Sequence, residues 1–326
     1  MATNLRALGA CWVVCLVLVA LVARGATAKL VRSVVLVRNS EWGTGSDGKA
    51  QRDVLGLAEA EAAHMLGKRL RNVYVRSHRL IQGAFDPAHV RMRAQKTTRS
   101  MQLAVALTTG LFEVERGRAV QAEPVPVEAI AEDELYCLAA HPVMLELPAA
   151  LESTMEHLHF LVKIDRDLDA FDLDLVTEPL LAAPRFPAAV PLDFIDSLQR
   201  LAKWARDSKY GDPHAAQLQG GRVAFELLAG ALVDDAGPLL SVMVVNEYGF
   251  YTFLDTLVAK ASSAPARLVA LELHVVGGRQ FLHVLRDFAP LSLDACEDCE
   301  LAVIRAALKA KSAFVGDAEW AEACHA

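Results

Sequence analysis

The chain of 326 residues has no low-complexity tract and no internal repeat, so it reads as one large globular domain or two small ones. It has no N-x-S/T sequon: Asn39 is followed by Ser40 and Glu41. Beyond residue 28 no apolar run is long and charge-free enough to span a membrane, and the stretch from Phe225 to Val245 is interrupted by Asp234-Asp235. Basic charge is not in excess. The formal net charge is −7, which argues against a nucleic-acid partner. Cysteines number six, and Cys296-x-x-Cys299 has no second paired cluster to complete a zinc site. His157 and His159 sit two apart, on different faces of a helix. The acidic run Asp165, Asp167, Asp169, Asp172, Asp174 lacks the glycine and closing glutamate of a calcium loop and reads as a solvated face. No metal and no cofactor is expected.

What is present begins with a leader. Arg6 supplies a short positive region, Ala10 to Ala23 an apolar core, and Ala26-Thr27-Ala28 a small-x-small cleavage site. Residues 1–28 are expected to be removed, which places the chain outside the cell or in an endomembrane or lysosomal lumen. Loss of Arg6 and Arg24 leaves 31 basic against 40 acidic residues, a balance of −9. Cys11 and Cys15 leave with the leader. Of the four cysteines that remain, Cys296 and Cys299 are expected to form a local disulfide, with Cys137–Cys324 a second pairing.

A run of β-branched and apolar residues, Val31 to Val37, reads as a buried strand ending abruptly at Arg38-Asn39-Ser40 before a glycine-rich loop. A charged residue at the carboxyl end of a buried strand is where open α/β sheets place ligand chemistry. Val54 to Arg71 has a helical apolar face, with His64 as a packing or surface residue. Ala88 to Arg93 reads as a second strand, followed by a helix from Thr97 or Thr98 to Gly110 with a hydroxyl N-cap. Arg91, Arg93 and Arg99 flank that junction, either as three solvated arginines or as an anion site at a helix amino terminus. Prolines then punctuate residues 121–213, with amphipathic helices at Leu145 to Val162 and Leu192 to Arg206. Further on, Leu239 to Val245 is a buried strand and Tyr251 to Lys260 a helix. Gly277-Gly278 signals a hairpin between Leu268–Val276 and Phe281–Leu285, and a helix ends the chain.

Five segments, in order, resemble the histidine acid phosphatase family of the histidine phosphatase superfamily, which includes the prostatic and lysosomal acid phosphatases. Residues 30–44 are similar to the family's strand followed by R-H-G-x-R-x-P. Arg38 matches the first arginine, while Asn39 stands for the nucleophilic histidine, Ser40 for the glycine, Trp42 for the second arginine and Thr44 for the proline. Val90 to Phe112 resembles R-S-T-D-x-x-R-T-x-x-S-A, with Arg93 on the phosphate-binding arginine and Arg99 on the later one. Gln217 to Gly221 is similar to R-L-Q-G-G. Met243 to Leu257 resembles Y-S-A-H-D-T-T and its helix, with Asn246 on the histidine and Glu247 on the aspartate. The tail resembles the family's hairpin and paired cysteines. The resemblance implies an α/β fold: a central mixed sheet flanked by helices, built from residues 29–120 and 214–326, with a mainly helical cap insertion at 121–213.

It also implies where chemistry has been lost. In the family a histidine attacks phosphorus, arginines hold the phosphoryl oxygens, and the aspartate protonates the leaving oxygen. Covalent catalysis needs an available lone pair. The amide nitrogen of Asn39 has delocalised its own into the carbonyl. Asn246 cannot carry positive charge, and Trp42 offers no bidentate donor. Arg38, Arg93 and a carboxyl at Glu247 remain. The expectation is a secreted pseudophosphatase with a residual pocket for a phosphorylated small molecule or other anion, and with an unidentified protein partner. In a variant of that expectation Glu247 pairs with Arg38 or Arg93 and fills the pocket from within. The alternative is an active acid phosphomonoesterase with an atypical mechanism, such as water attack supported by Glu247.

Overall fold

The computed structural model describes residues 28–39, 42–44, 50–52, 55–113, 124–131, 148–162, 191–210, 232, 237–257, 266–293, 299–311 and 322. The expected leader, the Gln217 to Gly221 segment and the acidic run at 165–174 lie outside them. Strand β1 (Lys29–Asn39) is the centre of the molecule. Its β-branched run leaves almost nothing exposed from Arg32 to Val37, as expected of a strand covered on both faces. β1 pairs in parallel with β6 (Leu240–Asn246), and β6 with β4 (Val90–Gln95). A short β5 (Glu128–Ile130) extends that side. On the other side β1 pairs antiparallel with β7 (Leu268–Val276), then β8 (Arg279–Arg286) and β10 (Cys299–Glu300). β9 (Ala289–Pro290) also pairs with β8. The result is a mixed sheet of eight strands in the order β10-β8-β7-β1-β6-β4-β5, with β9 beside β8. A separate ribbon joins β2 (Trp42–Thr44) and β3 (Ala50–Arg52).

Helices cover both faces. α1 (Leu57–Leu70) and α2 (Thr98–Leu111) lie on one, where Leu70, Leu107 and Leu111 meet Val35, Val37, Val242 and Ala270. On the other, α5 (Glu247–Leu257) and α6 (Leu301–Lys311) place Phe250, Tyr251, Leu254 and Ile304 against Val34, Leu36, Val245 and Leu271. Alternation along β1 assigns successive residues to these two cores. α3 (Ala149–Val162) and α4 (Leu192–Tyr210) pack on each other within the expected insertion. β5 falls in that stretch too, yet pairs with β4, so the sheet extends into it.

The helix expected from Val54 to Arg71 starts at Leu57 and does not stop at Arg71. It continues as a π-helix, Arg71–Ser77, which turns Tyr74 into the core. The helix expected at Tyr251 starts four residues earlier, with no loop after β6. Asn246 is the reason: its Oδ1 accepts from the Gly249 backbone N–H at 2.9 Å, an N-cap that lets the helix begin at the last residue of the strand. The hairpin turns at Gly277 (φ 60°) and Gly278 (φ 83°), a backbone that glycine adopts at no steric cost.

Candidate functional site

The parallel register brings Asn39 and Asn246 side by side at the carboxyl ends of β1 and β6. Strand alternation then separates Arg38 from Asn39, sending the arginine toward α5 and the asparagine toward α2. Arg38 Nη1 donates to Glu247 Oε1 at 2.5 Å and to the Tyr251 hydroxyl at 2.8 Å. Its guanidinium carbon also stands 5.5 Å from the Tyr251 ring centroid, in cation–π range. The ion pair is deep, with side-chain exposures of 12% for Arg38 and 5% for Glu247. Glu247 begins α5, where the helix dipole favours negative charge. Of the carboxyl and the two arginines expected at the site, Glu247 and Arg38 are therefore joined to each other.

Asn39 is buried, and its Nδ2 donates to Ser100 Oγ at 2.8 Å. Ser100 is fixed in turn: its Oγ accepts from Thr97 Oγ1 at 2.9 Å, and its backbone N–H donates to Thr97 Oγ1 at 3.2 Å. The expected hydroxyl N-cap of α2 is thus Thr97, and it orients the residue that holds Asn39. Asn39 Oδ1 has no hydrogen-bond partner among the described residues. At this position the amide is a donor to a hydroxyl. Asn246 serves backbone: its Oδ1 caps α5, and its N–H donates to Gln95 Oε1 at 3.1 Å.

Arg93 lies on the same face of the sheet as Arg38, with β6 between them, at the level of Met243 where Arg38 is level with Val245. Its Nε is 3.8 Å from Glu128 Oε2. Arg91 grips that carboxylate with two bonds of 2.8 and 2.9 Å. The Arg91 guanidinium beside Glu128 holds its carboxyl below the usual range, with Arg93 adding to the effect. Arg99 differs from the solvated reading: it is 3% exposed and joins Glu59 of α1 at 2.5 Å. Glu59 also accepts from the Gly56 backbone N–H at the start of α1. Arg99 therefore ties α2 to α1, because a buried guanidinium needs a counter-charge. His64 lies 4.0 Å from Glu113, which Lys68 also holds at 2.9 Å.

Only the backbone of Trp42 is described, on β2 opposite Arg52. Ser40 lies outside the described residues, as do Cys137, Cys296 and Cys324. Cys299 is buried on β10. Among the described residues no group of three or more histidines, cysteines and carboxylates could hold a metal. No described helix is long and apolar enough to cross a membrane.

Two partners escaped the sequence reading. Tyr251 stands four residues after Glu247, the helical spacing that puts both on one face, but a helix expected to begin at Tyr251 hid the relation. Ser100 sits three residues after Thr97, where a cap bonds. A second buried polar group lies at the other end of the sheet, roughly 20 Å along β1 from the site. There Tyr74 donates to Glu272 Oε1 and His274 Nε2 meets Glu272 Oε2, both at 3.1 Å. His274 stacks on His283 with ring centroids 4.4 Å apart. Burial pushes the Tyr74 hydroxyl far above its ordinary pKa, and the charge of Glu272 adds to the shift.

Neither a protein-family model nor a curated protein matches the sequence. Solved structures do match. A phytase from Citrobacter braakii superposes with a TM-score of 0.62 at 13% identity, covering 89% of this chain and 100% of its own. A Hafnia alvei phytase in complex with tartrate gives 0.63 at 12%, covering 92% and 99%. The multiple inositol polyphosphate phosphatase of Bifidobacterium longum in complex with phosphate gives 0.58 at 11%, covering 90% and 94%. At such identities the likeness speaks to fold, while function rests on the site. The mixed sheet flanked by helices on both faces is the fold of the histidine acid phosphatases and phytases.

Proposed function

We propose that this protein is a pseudophosphatase: a histidine acid phosphatase frame that does not transfer phosphoryl groups. The observation that carries the reading is Asn39. It ends the central strand where the resemblance puts the attacking histidine, and its amide nitrogen is engaged as a donor to Ser100. Attack on phosphorus from this position needs a nitrogen lone pair aimed at it, and the amide nitrogen of Asn39 has delocalised its own into the carbonyl. Asn246 supports the same reading, because capping α5 occupies its side chain. Glu247 could protonate a leaving oxygen only if it were released from Arg38, and an acid without a nucleophile accomplishes little.

The chain acts, on this reading, after removal of residues 1–28 and in a secretory or lumenal compartment. Cys296–Cys299 and Cys137–Cys324 are the proposed disulfides, and residues 121–213 the proposed cap. Its ligand class is a phosphate monoester or similar oxyanion, held without hydrolysis. The test is to incubate residues 29–326 with a radiolabelled phosphomonoester and quench in alkali, where a phosphohistidine-type bond survives. The expected outcome is no label on the protein. Label that is lost in Arg38→Ala would overturn the reading.

A further inference from the structure

We infer that Glu247 is a built-in occupant of the oxyanion site, so that Arg38 accepts an external phosphate or phosphate monoester only when the Glu247 carboxylate is displaced or neutralised. The inference rests on the pseudophosphatase reading and adds how that site is regulated. Arg38 is fixed by the last turns of a strand paired on both sides. Its guanidinium meets two groups from a single helix, the carboxylate of Glu247 and the hydroxyl of Tyr251, at 2.5 and 2.8 Å. The aromatic ring of Tyr251 adds a face to the same clamp. A carboxylate offers a guanidinium the oxygens and the charge that a phosphate group offers. Here it is delivered intramolecularly, at an effective concentration that dissolved anion at millimolar level does not match. Helix position reinforces the occupancy. Glu247 is the first residue of α5, which Asn246 caps, so the carboxylate is carried on a rigid element and not on a loop.

The substitution Glu247→Gln removes the charge while keeping the shape. It leaves Arg38 with the Tyr251 hydroxyl and without that carboxylate. A buried guanidinium that has lost this carboxylate favours uptake of another anion in its place. The inference therefore makes an unusual prediction: removing an acidic residue from the pocket creates ligand binding.

The experiment is calorimetric titration of inorganic phosphate into residues 29–326, with Glu247→Gln and the double variant Glu247→Gln/Arg38→Gln beside it. Native protein is expected to bind phosphate no tighter than millimolar. Glu247→Gln is expected to bind at least tenfold tighter, and the double variant to lose that gain. Phenylphosphonate, a monoester mimic that cannot be hydrolysed, gives the same gain if the site takes esterified phosphate, and gives none if it takes only the free ion. The inference is overturned if native protein binds phosphate below millimolar through Arg38, or if folded Glu247→Gln binds no tighter than native. The first of these results stands even if Glu247→Gln fails to fold. Phosphate release from an aryl phosphate, followed in the same samples, separates the two readings: turnover would end the pseudophosphatase reading and leave the binding result interpretable.

Discussion

The side chain of Asn246 caps a helix, and its replacement by alanine should therefore be costly to stability. It accepts from Gly249 N–H, and loss of such a cap costs about 1 kcal/mol. Asn246→Ala is expected to lower unfolding stability by that amount in urea titration, whereas Asn246→Asp, which can cap equally well, should restore most of it. An equal loss in both would show that the cap contributes nothing. At this scale the sequence reading was partial. Arg38, Asn39, Asn246 and Glu247 could be placed by resemblance, because a strand end followed by polar residues is visible in one dimension. Their partners could not. That Asn39 meets Ser100 depends on α2 lying over β1. That Arg99 is buried depends on Glu59, forty residues earlier, standing opposite it.

Two helices meet through glycine. A Cβ at Gly67 of α1 would fall on the Leu107 carbonyl oxygen, and a Cβ at Gly110 of α2 on the His64 carbonyl oxygen. Neither atom is the end of a movable side chain, so the helices would have to separate. Gly67→Ala gains about 1 kcal/mol of helix propensity, yet overpacking of this kind costs about 1–3 kcal/mol. The expected outcome is a net loss, read as a lower melting temperature. A stabilised Gly67→Ala protein would contradict the close approach. At the sheet edge, β5 is tied to β4 by Arg91 and Glu128. The carboxyl of Glu128 is held below its unfolded value by Arg91. Its contribution is therefore complete above the ordinary carboxylate range and is lost as the pH falls through the lowered folded value. Because the pair is exposed, Glu128→Gln is expected to cost roughly 0.5 kcal/mol near neutrality, a difference that shrinks as the pH falls through the lowered folded value and the native carboxylate also becomes neutral. Persistence of the full difference in acid would contradict the ion pair. Strands and hairpin were legible because continuous β-branched and apolar runs and Gly277-Gly278 are local signals. The π-helix was not, since an i to i+5 turn leaves no hydrophobic period of its own. The early start of α5 was not legible, since it depends on the Asn246 side chain reaching the Gly249 backbone N–H directly after an apolar strand.

Over the whole molecule, the proposed reading separates the frame from the chemistry. A mixed sheet centred on β1, in a fold that superposes on phytases, brings the ends of β1 and β6 to one place. The side chains delivered there are an ion pair and two amides that serve neighbouring helices. The fold class could be read from the order of five segments, since apolar strands and glycine turns are visible in the sequence alone. What the site does with Arg38 could not, because sequence gives the residues and not which of them touch. The direct test is phosphate release from a generic aryl phosphate by purified residues 29–326, scanned from acidic to neutral pH beside Arg38→Ala. The account predicts no release above that control at any pH. Release that disappears in Arg38→Ala would mean that the fold catalyses without its histidine, and would contradict it.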